Sequence, residues 1–272
     1  MKKNWGMKKK ILPQAIGVAL FTLSSSAVYA GVNADNWVGL NLKAGISALK
    51  VDDDKNNVWA DHDGYIYDFN SSDQVSDAGS SEDKSYQGFV SVGYDFKIAD
   101  NTLLGFFGEF DFGEAESRET AGFNANDGTF GNEYTLSDIV TIKNSLSLGA
   151  KLTRLVNDKT AVYVTAGITS AEIEQESSMR YNSYSYESYD DKYSSQDNEV
   201  GPFIGIGAEY KLNEKTGISL EYRYTDFGSI NKPSGYNYSA EGVYVNSYDE
   251  SSADAKTDVT TDSLKIAITY QF

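Results

Sequence analysis

The chain has one histidine, His62, and it lies in the acidic stretch "DHDG" at residues 61–64, near Asp52–Asp54. Carboxylate oxygens are ligands that Ca²⁺ prefers, but the spacing does not complete an EF-hand loop. A solvated acidic loop is the favoured interpretation, and weak calcium binding is the alternative. Catalysis by His62 would need a nucleophile or a water held beside it. We predict neither a catalytic residue nor a cofactor.

A second group of charged residues lies in segments where polar and apolar residues alternate. Charges that share one face of a closed sheet could line a narrow channel for ions or small solutes. They could instead pair and fill the interior, which is favoured because a buried unpaired charge is very costly. The group comprises Lys43, Glu109, Asp111, Lys143, Glu221, Arg223 and Lys265.

The alternation recurs in stretches of roughly ten residues, which is the length that a tilted strand needs to cross a bilayer. Each stretch has an apolar face without charges and a polar face rich in glycine. The last stretch, "LKIAITYQF", places Leu264, Ile266, Ile268, Tyr270 and Phe272 on the apolar face. In the fourth stretch, Val140 and Ile142 are assigned to the apolar face and Thr141 and Lys143 to the polar face. The eight stretches are 37–48, 86–97, 103–113, 138–152, 161–170, 201–211, 217–227 and 263–272.

The apolar face could turn inward around a ligand, as in a soluble barrel of the lipocalin kind, or outward to lipid. The absence of charge favours lipid, because Arg or Lys near the bilayer midplane costs about 2–4 kcal/mol. Aromatic residues near the strand ends and a polar face of small residues favour the same orientation. In hydrocarbon the sheet must then close, since an open edge would leave backbone groups unpaired.

The connections are alternately long and short. "KIADNT", "VNDKT" and "NEKT" are typical of tight turns, whereas the other connections span about 25 to 35 residues. Residues 51–84 and 170–199 are acidic or rich in Tyr and Ser, and we predict that they form solvated loops. The predicted fold is all-β: an eight-stranded antiparallel transmembrane β-barrel with four long extracellular loops, three short periplasmic turns and both termini in the periplasm.

The start of the chain predicts a secretory signal over residues 1–30, with the barrel domain over residues 31–272. An N-terminal membrane anchor is the alternative, although the apolar run is shorter than the ~20 residues of a spanning helix. Loss of residues 1–30, which carry five lysines and no acids, changes the formal charge from −17 to −22. Nucleic acid is therefore not an expected partner. The chain has no cysteine and so can form no disulfide.

Two segments carry a resemblance to a known family: "GPFIGIGAEYKLNEKTGISLEYRYTDFG" at 201–228 and the terminal "LKIAITYQF". They resemble the eight-stranded barrels related to the OmpA transmembrane domain and the opacity-type surface antigens. The resemblance implies a Gram-negative outer membrane location in contact with lipid. It also implies that the barrel assembly machinery recognises Phe272, supported by Tyr270 and Ile268.

The sequence thus favours a non-enzymatic surface protein that contributes to envelope integrity, to adhesion, or to both. Tyrosine offers a large contact area at low entropic cost, so the tract from Tyr181 to Tyr193 could bind surface or host ligands. A variable loop without a fixed partner is equally compatible with this composition. A narrow channel is a less favoured function, and an enzyme at the barrel rim is less favoured still. The last long loop contains four further tyrosines that could contribute to the same contact surface: Tyr236, Tyr238, Tyr244 and Tyr248.

Overall fold

The computed structural model describes residues 34–55, 85–126, 131–183, 189–231 and 256–272. A short 3-10 helix, Ala34–Trp37, precedes nine β-strands. Within these ranges no helix has the length and apolarity required to cross a membrane. The strands are β1 (Gly39–Lys55), β2 (Ser85–Ala99), β3 (Thr102–Phe112), β4 (Ala115–Asn126), β5 (Gly131–Leu155), β6 (Thr160–Ser183), β7 (Tyr189–Lys211), β8 (Thr216–Asn231) and β9 (Lys256–Gln271).

Eight of the nine strands close into a ring in which every pairing is antiparallel. Each strand pairs with its neighbour in the order β1-β2-β3-β5-β6-β7-β8-β9, and β9 pairs with β1 to close the ring. Strand β4 continues β3 beyond Gly113 and Glu114 and pairs with the first half of β5. The structure therefore confirms the predicted eight-stranded antiparallel barrel.

Three short turns lie at one end of the ring, which we call the turn end; the opposite end is the loop end. The turns are residues 100–101, 156–159 and 212–215. Asn157 Oδ1 accepts hydrogen bonds from the backbone N–H groups of Lys159 and Thr160, both at 2.9 Å. Asn213 plays the same role in its turn. These side chains satisfy backbone donors locally, which explains the abundance of Asn and Asp in the tight turns.

The outer surface of the ring is apolar, in agreement with the assignment of the alternating faces. The closing row is exposed along its whole length, from Leu264 at 45% to Phe272 at 67%. Lys265 and Thr269, which lie between its members, are 5% and 3% exposed. A surface with large apolar side chains and no facing protein partner among the described residues is suited to lipid.

The prediction that residues 170–199 form a solvated loop is wrong for most of that range. Strand β6 continues to Ser183 and β7 begins at Tyr189, with an unbroken register from Tyr181↔Tyr189 to Thr160↔Tyr210. Likewise, β4 and the start of β5 occupy much of the connection between the third and fourth predicted stretches. Low sequence complexity does not prevent a hairpin, because the backbone groups of two paired strands satisfy each other and Tyr and Thr favour extended structure.

The assignment of Val140 and Ile142 to the lipid face is also wrong, since they are 1% and 3% exposed. The register between β5 and β6 shifts between Ile142 and Ser145. A β-bulge of this kind inserts an extra residue and reverses which parity points inward. Ile142 and Ser145 consequently both face the interior, whereas strict alternation would have put them on opposite faces.

At the loop end the barrel divides into two facing sheets. The first is formed by β4, β5, β6 and the first part of β7, and the second by β8, β9 and β1. β7 pairs with β8 only from Phe203 onward, so the two sheets separate at that point. Between them lies an apolar group that we call the loop-end cluster. It consists of Leu49, Val51, Ala115, Val140, Ile142, Ala171, Ile173, Phe227, Ile230 and Val259.

A second apolar group closes the turn end. The 3-10 helix places Trp37 (3% exposed) against Leu103, Leu155 and Ala161. The indole Nε1 of Trp37 donates a hydrogen bond to the backbone oxygen of Asp158 at 3.3 Å. We call this group, Ala34, Trp37, Leu103, Leu155 and Ala161, the turn-end cap. It anchors the segment that enters β1.

The seam between β1 and β9 makes a prediction about stability. A Cβ on Gly45 would clash with the backbone oxygen of Ile266 and lie 2.8 Å from the Cα of Ala267, so the two strands would have to move apart. We expect Gly45→Ala to lower the free energy of unfolding in detergent micelles by about 1–3 kcal/mol, measured by urea titration. Gly108→Ala is the matched control, because its Cβ would meet Leu148 at an ordinary 3.5 Å. Equal stabilities for the two variants would contradict the tight seam.

Candidate functional site

Five charged side chains form a continuous chain of ion pairs across the middle of the barrel. Lys265 Nζ lies 2.5 Å from Asp111 Oδ1 and 2.6 Å from Glu109 Oε1. Arg223 bridges Glu109 at 2.6 Å and Glu221 at 2.8 Å. We call Asp111, Lys265, Glu109, Arg223 and Glu221 the lumen network. It links β3 to the neighbouring strands β8 and β9 on the opposite side of the ring, so the pairs span the interior.

Hydroxyl groups complete the ends of the lumen network. Ser145 donates a hydrogen bond to Asp111 Oδ2 at 3.0 Å, and Thr165 donates one to Glu221 Oε1 at 3.2 Å. The carboxylates therefore accept hydrogen bonds from uncharged donors as well as from the cations. Such additional bonds are what make buried ion pairs tolerable in a low-dielectric interior.

Two further ion pairs lie on the turn-end side of the interior. Lys43 Nζ is 3.2 Å from Glu209 Oε2. Lys151 Nζ is 2.9 Å from Asp95 Oδ2, which also accepts a hydrogen bond from Asn41 at 2.8 Å. The other oxygen of Asp95 is buried and has no hydrogen-bond partner among the described protein atoms.

The prediction that Lys143 belongs with the interior charges is contradicted by its position. Its Nζ lies 3.0 Å from Glu174 and 3.3 Å from Glu172, on the outer face of β5 and β6 near the loop end. These carboxylates raise the pKa of Lys143 above its ordinary value, chiefly through the hydrogen bond to Glu174. The cause is the bulge after Ile142, which reverses the facing of this part of β5.

Aromatic rings pack against the interior cations. The guanidinium of Arg223 lies 4.4 Å from the ring centre of Phe203, and Lys265 Nζ lies 4.7 Å from that of Phe89. Glycine provides the space for these rings: a Cβ on Gly149 would come within 2.8 Å of both Phe107 and Phe203. The interior thus holds large rings as well as small residues, because glycines on neighbouring strands compensate for the ring volume.

The interior is electrically balanced and nearly filled. Its buried or nearly buried side chains include five acids and five bases, so their formal charges cancel. Two cavities in this region have volumes of about 20 and 30 Å³, which is room for one or two water molecules each. Among the described residues there is also no group of three or more His, Cys, Asp or Glu that could hold a metal ion. The five acids of the interior are Asp95, Glu109, Asp111, Glu209 and Glu221, and the five bases are Lys43, Lys151, Lys211, Arg223 and Lys265.

The predicted group of interior charges omits several residues that line this interior. Lys151, Glu209 and Lys211 follow the alternation of the polar face, but their mutual proximity could not be inferred without the register. Asp95 could have been found from its spacing, since Ser91, Gly93 and Asp95 share one parity of β2. The inward rings, Phe89, Phe107, Tyr163 and Phe203, were not predicted, although they share the parity of the polar face on their strands and could have been found in the same way.

The predicted assembly signal lies on the outside of the barrel. Ile268 and Phe272 are 63% and 67% exposed, and the rings of Tyr270 and Phe272 meet edge to face at 4.9 Å. The backbone N–H of Phe272 donates to the oxygen of Leu40 at 3.0 Å, which fixes the last residue to β1. His62, the "DHDG" stretch, and Tyr236, Tyr238, Tyr244 and Tyr248 lie outside the described residues, as does the predicted signal over residues 1–30.

Removing Arg223 should be strongly destabilising. In Arg223→Met, Glu221 keeps only Thr165 and Glu109 keeps only Lys265, so a buried carboxylate loses its cation. We expect a loss of about 3–5 kcal/mol in the free energy of unfolding, measured by urea titration in micelles. Adding Glu221→Gln should restore part of the loss.

Lys143→Met is the control for this experiment, because its ion pairs lie on the exposed outer face and little change is expected. A similar loss in both single variants, or no rescue by Glu221→Gln, would contradict the role given to the lumen network.

Comparison with known proteins gives a family and distant relatives. Residues 16–272 match the family model described as "Outer membrane protein beta-barrel domain". The 31 kDa outer-membrane immunogenic proteins of Brucella melitensis and Brucella suis are each 22% identical over 209 residues, which cover 76% of this chain and 78% of theirs.

Similar solved structures include two bacterial outer membrane proteins. OprG from Pseudomonas aeruginosa is 14% identical, with 86% of this chain and 96% of that chain covered and a TM-score of 0.39. Ail, the attachment invasion locus protein of Yersinia pestis, is 13% identical in its complex with the heparin analogue sucrose octasulfate. That match covers 86% of this chain and 99% of that chain, with a TM-score of 0.34.

Proposed function

This chain belongs to the outer membrane β-barrel family, and on that basis we propose that it is a non-enzymatic surface protein whose barrel is a closed support for the sheets at its loop end. Its location is the outer membrane of a Gram-negative cell. The work of the molecule is done by the surface that projects from the membrane, through adhesion or through a contribution to envelope integrity. The observation that carries this proposal is the filled interior.

Three successive layers support the closed barrel. The turn-end cap covers one mouth with Trp37, the lumen network spans the middle, and the loop-end cluster fills the space between the two projecting sheets. The lumen network and the loop-end cluster join strands from opposite sides of the ring, and the turn-end cap joins the segment before β1 to β3, β5 and β6. Conduction would require breaking buried ion pairs and separating buried apolar side chains, and both cost free energy.

The projecting strands support a role at the surface. β5, β6 and β7 contain 25, 24 and 23 residues, whereas about 9–11 residues suffice to cross the membrane. Their outer parts therefore extend the sheet well beyond the lipid-facing belt. The paired backbones of β6 and β7 carry Tyr181, Tyr189 and Tyr193 of the Tyr181 to Tyr193 tract, and residues 184–188 lie outside the described residues. Tyrosine offers a large contact area at low entropic cost.

We also propose that the barrel assembly machinery binds the C-terminal strand. Ile268, Tyr270 and Phe272 are exposed on one face of β9, where a partner could contact them before the ring closes. β9 is also the strand that pairs with β1 to complete the barrel. Recognition of this strand by the assembly machinery would therefore couple insertion of the protein to closure of the barrel.

The closed barrel predicts that the purified protein does not conduct. In planar lipid bilayers we expect no current steps above the baseline from folded, heat-modifiable protein. The double variant Glu109→Gln and Trp37→Ala should raise the frequency of steps, because it weakens the lumen network and the turn-end cap together. Regular steps from the unaltered protein would favour a channel function and contradict the proposal.

The surface role predicts that shortening the β6–β7 hairpin lowers adhesion without affecting the barrel. Ser177 and Tyr193 are opposite each other, so an Asn-Gly turn in place of residues 178–192 keeps their register. Whole cells that carry this variant should bind less to host-cell and abiotic surfaces, at equal levels of heat-modifiable protein in the outer membrane.

A control variant keeps β6 and β7 and replaces residues 184–188, which connect them in sequence, with Gly and Ser. It distinguishes a contribution of this connection to adhesion from a contribution of the paired strands. Unchanged binding by the shortened variant, in cells that otherwise adhere, would rule out the hairpin as the adhesive surface.

A further inference from the structure

Among the described residues, the first part of β7 has a neighbouring strand on only one side. Residues 189–202 pair with β6, but the ladder to β8 begins at Phe203. β8 continues to Asn231 and pairs there with β9 alone. Within the described ranges, no strand pairs with the second edge of β7 over residues 189–202. Twelve residues, Tyr189–Val200, form an edge of about 40 Å on the loop-end side of the membrane.

Local chemistry explains why β7 and β8 separate at this level. Pro202, next to the first rung of the β7–β8 ladder, has no backbone N–H to donate to either neighbouring strand. A Cβ on Gly201 would clash with the backbone oxygen of Asp226, so this is the last point of close approach. Beyond it, β8 has a register shift between Asp226 and Gly228, and Gly228 has a φ of +73°. Across this bulge β8 keeps its pairing with β9, and no described strand pairs with the edge of β7.

Charge indicates what could pair with this edge. The sequence of residues 189–200, "YDDKYSSQDNEV", contains four acids and one base. Asp197 is exposed and Glu199 is partly exposed, and on the facing sheet Asp226 and Asp258 are exposed as well. A second copy of the chain would bring another acidic strand to the same place. A segment that carries Lys or Arg would instead neutralise the edge.

We propose that the free edge of β7, residues 189–200, binds an extended, lysine- or arginine-rich segment of another protein by strand addition. The backbone of β7 supplies the hydrogen bonds, since alternate residues of an edge strand point both N–H and C=O outward. The carboxylates of Asp197 and Glu199 supply the preference for basic side chains. This inference rests on the proposed surface function and names the chemistry of its partner.

The experiment uses the full protein in lipid nanodiscs and a synthetic ten-residue peptide in which lysine alternates with valine and threonine. Fluorescence anisotropy measures binding, and amide hydrogen exchange locates it. We expect the peptide to bind and to slow exchange across residues 189–200. Exchange in residues 257–262 should not change, because that part of β9 is already paired on both sides. The same peptide with alternate backbone amides N-methylated keeps its charge but cannot pair, and should not bind.

Variants test the contribution of charge. Asp197→Lys with Glu199→Lys should weaken binding about tenfold, as expected for the reversal of one exposed and one partly exposed charge. Asp100→Lys with Glu214→Lys, on exposed turns at the opposite end, is the matched control and should bind normally. Heat-modifiability and urea titration verify that both variants are folded.

Three outcomes would overturn the inference: equal binding of the N-methylated peptide, protection outside residues 189–200, and pairing of two copies at this edge shown by cross-linking. If the peptide does not bind the protein in nanodiscs, while adhesion of whole cells still depends on the β6–β7 hairpin, strand addition is rejected and the surface function stands. Channel activity of the purified protein would reject the proposed function itself.

Discussion

The need to pair every backbone N–H and C=O group inside the membrane is the constraint on which this structure depends. An open sheet would expose one row of these groups to hydrocarbon, so the pairing of β9 with β1 is obligatory. That closure determines where the side chains can go. Apolar residues point to lipid, and everything on the other parity must fit into the narrow interior of eight strands. The register of Lys43 opposite Thr269 and of Ser47 opposite Lys265 is a direct result.

The narrow interior in turn explains the balance of its charges. A charge such as Glu109 can be held there only if cations approach it closely, and both Arg223 and Lys265 do so at 2.6 Å. Glycines such as Gly149 then make room for the rings that cover the cations. The ion pairs and the packing of the aromatic rings in the interior therefore depend on each other. Neither the cap around Trp37 nor the cluster around Ile142 contributes charge, so the polar layer is confined between two apolar ones.

The strict alternation of residues such as Leu264, Lys265 and Ile266 was sufficient to predict the barrel, its strand count and its lipid face. The same rule failed for Val140, Ile142 and Lys143, because it assumes a constant parity and a bulge changes parity without a clear sequence signal. Composition was equally misleading at residues 170–199, where paired backbones form strands from Tyr and Ser. The interior pairs could be predicted as a set but not individually, since partners such as Glu109 and Arg223 lie 114 residues apart.

The bulges that precede the loop-end cluster have an evolutionary consequence. The interruption at Gly113–Glu114 lies opposite the bulge of β5, and the bulge of β8 contributes Phe227 to the cluster. They mark a boundary at which the register of β3, β5 and β8 shifts, whereas the β1–β9 and β6–β7 ladders continue across it. Insertions and substitutions above that boundary can accumulate without disturbing the register that the membrane imposes. The molecule is thus divided into a base whose geometry the membrane imposes and an outer part whose exposed surface can vary independently of that base.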